Sequence, residues 1–265
     1  MIIDTHAHYD DDSFDEDRDS LLSGMPEGGV EKVINAGASA ASALYGLALS
    51  EKYPHVFCAL GVHPNEIRPG EPGGLTEEVL EEFAVKSRHP KVVAIGEIGL
   101  EYHYEDPARD IQRHWFRRQI ALAKRVGLPI IVHSREATQE TYDIIREEHA
   151  EEAGGVIHCF SGGPDTAADY VKLGFYIGIG GVVTFKNGKK MKEVVKRVPL
   201  TSILLETDSP YLAPEPYRGK RNCSLYLPYV AREIAALKGV TEEEVVAVTK
   251  ENAERCFPKL RTAVC

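Results

Sequence analysis

Eight short apolar, β-branched runs alternate with amphipathic helical stretches along this 265-residue chain. The runs cover residues 2–5, 32–36, 56–61, 92–96, 130–133, 156–158, 175–179 and 203–206. Helical stretches fill the gaps at 15–24, 38–53, 76–89, 110–127, 138–150, 165–173 and 187–198, and two more follow at 225–238 and 241–255. Parallel strands need a crossover between them, usually a helix, and strands covered on both faces read as continuous apolar runs. Eight such units in roughly 250 residues predict an α/β fold, the closed (β/α)8 TIM barrel, with a doubly wound open sheet as the alternative. The loop at 70–74 (Gly-Glu-Pro-Gly-Gly) is too short to divide domains, and no repeat, linker or low-complexity segment is evident, so a single domain over 1–265 is expected.

The net charge of −10 argues against a broad basic face for nucleic acid. It leaves a nuclease open, because bound divalent cations can themselves meet a phosphate. The five cysteines (Cys58, Cys159, Cys223, Cys256 and Cys265) are odd in number and form no CxxC, which suits a reducing cytoplasm. No apolar run approaches the roughly 18 residues of a membrane span. No basic segment followed by an apolar one precedes the first strand, so neither a membrane location nor a cleaved signal is expected. The acidic stretch 10–19 reads as a solvated loop and helix start.

In a (β/α)8 barrel, functional groups gather at the C-terminal ends of the strands. By that rule six of the eight strands deliver an ionisable or ligand-type side chain to one rim. The first ends in His6 and His8, the third in Gly61-Val-His63-Pro64, and the fourth in Gly96-Glu97-Ile-Gly99. The fifth ends in His133-Ser-Arg135, the sixth in His158-Cys-Phe-Ser161-Gly162, and the eighth in Glu206-Thr-Asp208-Ser-Pro210. Two histidines at i and i+2 of a strand point the same way, and neutral imidazole is the commonest metal ligand. Alone, the pair equally fits two rings capping a strand by hydrogen bonds. The convergence of the other strand ends favours a metal centre.

A two-metal centre needs a bridging carboxylate and several neutral or anionic ligands, with the ions about 3.5–4 Å apart. Glu97, on a middle strand, is the expected bridge. His6, His8 and Asp208 would hold one ion, and His133 and His158 the other. Such a site lowers the pKa of a bound water to about 7, and Asp208 is placed to take its proton. His63, at the same rim, would protonate a leaving group or contact a phosphate. Arg135 has two readings, a forked contact to phosphate or an ion pair at a helix start. Glu206 and Asp4 also have two: carboxylates holding ligand imidazoles, or a hydrogen-bonded polar layer in the barrel. Ser161 is a candidate substrate contact. His/carboxylate sites accept zinc, manganese, iron or magnesium, so the metal stays open. His55, His89 and His149 fall on the opposite rim or outer surface, His114 on a helix, and His103 on the catalytic rim. Cys159 is expected to point away from the site, and Trp115 to pack a helix on the barrel.

These segments resemble the TatD family of metal-dependent hydrolases, within the amidohydrolase-like superfamily of TIM barrels. The matching runs are 4–8, 61–64, 96–100, 132–135, 158–162 and 206–214. The resemblance implies a deoxyribonuclease-type phosphodiesterase with two metal ions on His6, His8, Glu97, His133, His158 and Asp208, the set already reached from the strand ends. Some members act as 3′ to 5′ exonucleases on single-stranded DNA. The stretch Arg218-Gly-Lys-Arg221-Asn222 continues the match and is the expected basic patch on the rim, making Arg221 and Asn222 candidate substrate contacts. Two departures stand out. Glu101 replaces the family's aspartate after Gly-Leu, keeping the charge on a longer arm. Cys223-Ser224 replaces the family's Glu-Pro, which bears on substrate orientation more than on metal binding. The fourth strand lacks the lysine with which other relatives bridge metals in carboxylated form.

The function expected first is therefore a metal-dependent deoxyribonuclease that acts on single-stranded DNA or DNA ends through a two-metal-activated water. Hydrolysis of a small ester, lactone or amide by the same centre is the alternative, and a non-catalytic metal-dependent binding protein the remote one. DNA is the expected partner, with no membrane and no obligate protein partner.

Overall fold

The computed structural model describes residues 1–262; Cys265 and the end of the expected domain lie outside the described residues. Eight strands follow one another: β1 (Ile2–Ala7), β2 (Val30–Ala36), β3 (Val56–Leu60), β4 (Val92–Glu101), β5 (Ile130–Arg135), β6 (Gly155–Ile157), β7 (Tyr176–Ile179) and β8 (Ile203–Leu205). The helices are α1 (Arg18–Gly24), α2 (Ala40–Lys52), α3 (Glu77–Lys86), α4 (Arg109–Val126), α5 (Thr138–Glu147), α6 (Pro164–Lys172), α7 (Lys189–Arg197), α8 (Leu227–Lys238), α9 (Glu242–Cys256) and α10 (Lys259–Thr262). No described helix is long and apolar enough to cross a membrane.

The strands pair in sequence order and all in parallel. The seam between first and last strand is closed by a parallel bridge between Ala7 and Ser209. Thr5 Oγ1 donates to the Leu205 carbonyl at 3.0 Å, and the His8 N–H to the Ser209 carbonyl at 2.7 Å. The result is the TIM barrel rather than the open sheet. All eight strands feed one apolar cluster that includes Ile3, Ile34, Phe57, Val93, Ile131 and Leu204, packed against Phe257 and Leu260 of the C-terminal segment. A second, larger cluster lies between the strands and the helices that cover them.

Local chemistry sets the helix ends. Ser39, Thr76 and Thr241 each accept a first-turn N–H at the start of α2, α3 and α9, which satisfies a donor the helix itself cannot. Gly127 and Gly239 close α4 and α8 in the left-handed conformation, where a Cβ is disfavoured. The first helix starts at Arg18, not at 15, because Arg18 is held by the carbonyls of Tyr9 and Asp11 and by the Asp15 carboxylate, and a 3-10 turn occupies Asp12–Phe14.

The largest departure from the sequence reading is β4. Glycines usually mark breaks, which places the end of this strand at 96. The strand instead runs to Glu101, pairing with β5 as far as Arg135. Its glycines permit close approach. A Cβ on Gly96 would lie 2.6 Å from the Ile131 Cβ, and one on Gly99, at φ 152°, would lie 2.0 Å from the His133 carbonyl oxygen. The register skips between Gly96 and Ile98, so Glu97 is the extra residue of a bulge, a device that re-aims a side chain. Gly99→Ala is expected to destabilise the protein by about 2–4 kcal/mol through strain and overpacking. Urea unfolding would read this, and an unchanged midpoint contradicts the close approach.

Candidate active site

His6 lies in β1 and His8 just beyond it, while Glu97 projects from the bulge of β4. His133 lies in β5; His63, His158 and Asp208 follow β3, β6 and β8. The strand ends bring all of them into one mouth. His6 Nε2 and His8 Nε2 are 3.0 Å apart. They face Glu97 Oε2 at 3.3 and 3.6 Å, and Asp208 Oδ1 at 3.6 Å each. The other carboxylate oxygen, Glu97 Oε1, lies 2.8 Å from both His133 Nδ1 and His158 Nε2, with His63 Nε2 at 3.8 Å. Glu97 thus divides the ligand set, one oxygen to each group.

These atoms fit divalent ions. Ligands around a tetrahedral ion with bonds of about 2.0–2.1 Å sit roughly 3.3 Å from one another, close to the spacings of the first group. His8 Nδ1 lies 3.0 Å from the Ala36 carbonyl, which only accepts, so Nδ1 carries a hydrogen and Nε2 is left as the ligand atom. In the second group His133 faces two carboxylates, Glu97 through Nδ1 and Glu101 through Nε2 at 3.2 Å. A neutral imidazole has one N–H, so a second positive species, proton or ion, is needed on one side. Three triads have ligand atoms within 4.8 Å of one another: His6, His8 and Glu97; His6, His158 and Asp208; and His63, Glu97 and His133. The last sets His63 beside Glu97 and His133, at the rim position read from sequence.

Protons and ions compete for this cluster. Burial disfavours charge on the His8 ring, yet the Asp208 and Glu97 carboxylates hold it up to about 9. Burial likewise opposes charge on His158, and Glu97 and Glu206 outweigh it, to about 10. Burial and the neighbouring His158 push His6 down to about 4. Burial and His133 push His63 down to about 3. Burial alone would raise Glu97, but His158 and His6 drive it well below the carboxylate range.

The surrounding residues divide by what they touch. Glu101 is buried, and its Oε2 is the partner of His133 Nε2, while its Oε1 accepts the His103 N–H at 2.8 Å. Sequence reasoning noted Glu101 only as a charge-conserving departure. Its parity with Glu97, four residues earlier on the same strand, is the signal that it faces the same mouth. Asp4 is buried beneath the site and accepts from the Thr207 and His6 N–H groups, the Thr207 hydroxyl and the Ser224 hydroxyl. Glu206 accepts the Cys159 N–H at 2.5 Å, and its Oε1 is 3.7 Å from His158 Nδ1. Burial raises Asp4 to about 6 and Glu206 to about 8. Gly178 makes room for Glu206, since a Cβ there would lie 2.2 Å from Oε2.

Arg135 is half-exposed at the rim and reaches Glu101 by one nitrogen at 3.7 Å. Ser161 is exposed and donates to the Ser134 carbonyl at 3.3 Å. Arg221 is engaged elsewhere, in a two-pronged pair with Asp17 at 2.8 and 2.5 Å. Asn222 is fully buried and donates to the carbonyls of Thr207 and Tyr211. His103 pairs with Glu136 at 2.8 Å and stays outside the cluster. Cys159 departs from the sequence reading. It lies past the end of β6 at φ 42°, and it lines a cavity beside Asp208 instead of pointing away from the site.

Two outcomes follow from this geometry. The carboxylates hold His8 and His158 above the ordinary imidazole range, so these rings must shed protons before they can ligate, and loading ions is expected to release protons. Affinity then rises with pH until these rings titrate. Calorimetry in buffers of different ionisation enthalpy measures the release, and a proton-neutral binding event contradicts it. Glu101→Ala, which frees His133 Nε2, is expected to weaken the more loosely held ion about 10–100-fold. Metal titration of the variant checks this, and wild-type affinity contradicts it.

Comparison with known proteins places the chain in a family. The TatD related DNase family matches residues 3–258. The chain is 44% identical to the uncharacterized metal-dependent hydrolase YabD of Bacillus subtilis (strain 168), over 97% of this chain and 99% of that one. It is 36% identical to the uncharacterized metal-dependent hydrolase YcfH of Escherichia coli (strain K12), over 97% and 96% respectively. The crystal structure of YJJV, a TatD homolog from Escherichia coli K12, superposes with a TM-score of 0.88 at 32% identity, covering 97% of this chain and 98% of that one. With the ligand set gathered at one barrel mouth, the chain belongs to the TatD family of metal-dependent hydrolases.

Proposed function

We propose that the protein is a phosphodiesterase of single-stranded DNA, a deoxyribonuclease. The observation that carries this reading is the dressing of the mouth. In a chain of net charge −10, exposed cations stand by the carboxylate-lined cluster: Arg135 beside Glu101, Lys190 on the cavity that Asp208 also lines, and Arg218 against Asn187 of that cavity. Exposed aromatic rings accompany them, Tyr104 at 52% and Tyr211 at 55% exposure. A cationic path with aromatic platforms is how single strands are held without dependence on sequence. Arg135 also lies 5.7 Å from the centroid of the Tyr104 ring, so cation and platform are joined.

His6, His8 and Asp208 would hold one ion, His133 and His158 the other, and Glu97 would touch both. Bound there, two divalent ions would supply charge stabilisation for a pentavalent phosphate and a water acidic enough to ionise at neutral pH. The chain's own groups do the rest. Asp208, at the lip and next to both His6 and His8, can accept a proton from an attacking water. His63 Nδ1 accepts the Asn65 N–H at 3.1 Å, so the neutral ring carries its hydrogen on Nε2, which faces the mouth. That hydrogen can meet the leaving oxygen. Arg135 can present its free guanidinium nitrogens to a phosphate.

DNA is the partner in this reading, and no obligate protein partner is needed. The four described cysteines, all free thiols, suit a reducing cytoplasm as the setting. An apolar-walled cavity beside Asp208 gives the alternative, a small ester, lactone or amide, one observation in its favour.

Incubation of zinc-, manganese- or magnesium-loaded protein with labelled single-stranded DNA tests the proposal. Cleavage is expected to fall at least about a hundredfold in His133→Ala, which removes a ligand. No cleavage above that variant in any metal, beside turnover of neutral esters, would select the alternative.

A further inference from the structure

One cavity opens directly onto the cluster. It encloses about 250 Å3, and Asp208 belongs both to its wall and to the ligand set. Its sides are apolar, formed by Phe160, Val182, Met191 and Leu212, and its lip carries Asn187 and Lys190. The wall is firmly built. A Cβ on Gly181 would lie 2.0 Å from the Leu212 carbonyl oxygen, and one on Gly188 would lie 2.4 Å from that of Val182. The loops after β7 and β8 therefore lock against each other at backbone distance.

The cations at this lip are unpaired. Many surface cations elsewhere are paired with carboxylates: Arg113, Arg117, Arg118, Arg125, Lys192 and Arg232 all have partners within 3.0 Å, while Arg88, Arg109, Arg146 and Arg197 are exposed without one among the described residues. Among the described residues, Lys186, Lys189, Lys190, Arg218 and Lys220 form no ion pair and are all exposed. Arg218 is placed over the Phe185 ring at 4.2 Å and reaches Asn187 at 3.4 Å. Lys190 and Arg218 thus set unpaired positive charge at one edge of an apolar slot.

We propose that this cavity receives one unstacked nucleobase of the substrate strand, next to the scissile phosphate, with Lys190 of its lining against the base edge and the neighbouring phosphates along Arg218. This rests on the phosphodiesterase reading and adds a specificity site to it. The volume lies at the lower edge of small-molecule sites, roughly 300–1,000 Å3, and suits a single planar ring system, not a stacked run. Phe160 and Met191 supply the apolar surface that a base face requires, and Asn187 a hydrogen-bonding edge.

The test compares two chromogenic phosphodiesters, the p-nitrophenyl ester of thymidine 5′-monophosphate and methyl p-nitrophenyl phosphate, which has no base. Zinc-loaded wild type is expected to prefer the thymidine ester about tenfold or more in kcat/KM. Val182→Phe, which fills the slot, and Lys190→Ala, an exposed change without folding risk, are each expected to bring the ratio near one. Binding of thymidine 5′-monophosphate to the zinc-loaded protein, read by calorimetry, is expected to weaken about tenfold in both variants. Hydrolysis of both esters without a base preference, or variants that keep the wild-type ratio and affinity, overturns the cavity assignment and leaves the phosphodiesterase reading standing. Hydrolysis of neither ester in zinc, manganese or magnesium overturns the phosphodiesterase reading itself.

Discussion

A carboxylate buried at the centre of the mouth governs the rest of this structure. Removing an ionised group from water costs several kcal/mol even after the protein relaxes. Glu97 is almost wholly buried and still ionised, which is possible only among positive neighbours. Five imidazoles face it, and His8 and His158, held above the ordinary imidazole range, supply that compensation. Protons on His8 and His158 and ions between the ligand groups answer the same demand, so the centre is poised to exchange one for the other. The bulge in β4, and the glycines that let β4 and β5 approach, serve to bring this one side chain to its place.

The same residues that surround the site also seal the barrel. Asp4 accepts from both the first strand and the segment after the last, so it fixes backbone instead of steering a ring. Glu206 does similar work one strand away by holding the Cys159 peptide. The contacts of Asp4 are those of a polar layer, while Glu206 both holds backbone and lies 3.7 Å from His158 Nδ1. Ser224 belongs to that layer. Its hydroxyl donates to Asp4, and its N–H donates to the Tyr9 hydroxyl at 2.8 Å. The position where the family usually carries proline is here a three-way junction.

Much of the architecture was legible because strand alternation and barrel geometry are strict. Once eight strands are placed, the ends of β1, β3, β5, β6 and β8 must share a rim, and His6, His8, His63, His133, His158 and Asp208 are placed by that rule alone. What stayed hidden depends on contacts distant in sequence or on backbone form. Glu101 was missed because Gly96 and Gly99 read as breaks, when they mark strands pressed together. Arg221 looked like part of a free basic patch until Asp17, near the other end of the chain, proved to hold it. Cys159 was assigned by strand alternation, which stops applying once the residue adopts a left-handed conformation. The unpaired character of Lys190 and Arg218 is likewise a property of the folded surface and not of any local motif.

The junction at Ser224 has a consequence for the order of events during synthesis. Asp4 and Tyr9 precede their shared partner by more than two hundred positions. Asp208, which completes the ligand set, is also late. A growing chain holds the first histidines long before it can close the seam around them. A chain that lacks the segment from Asp208 to Ser224 has neither the closed seam nor the complete cluster, so the site is assembled only once that late segment has been made.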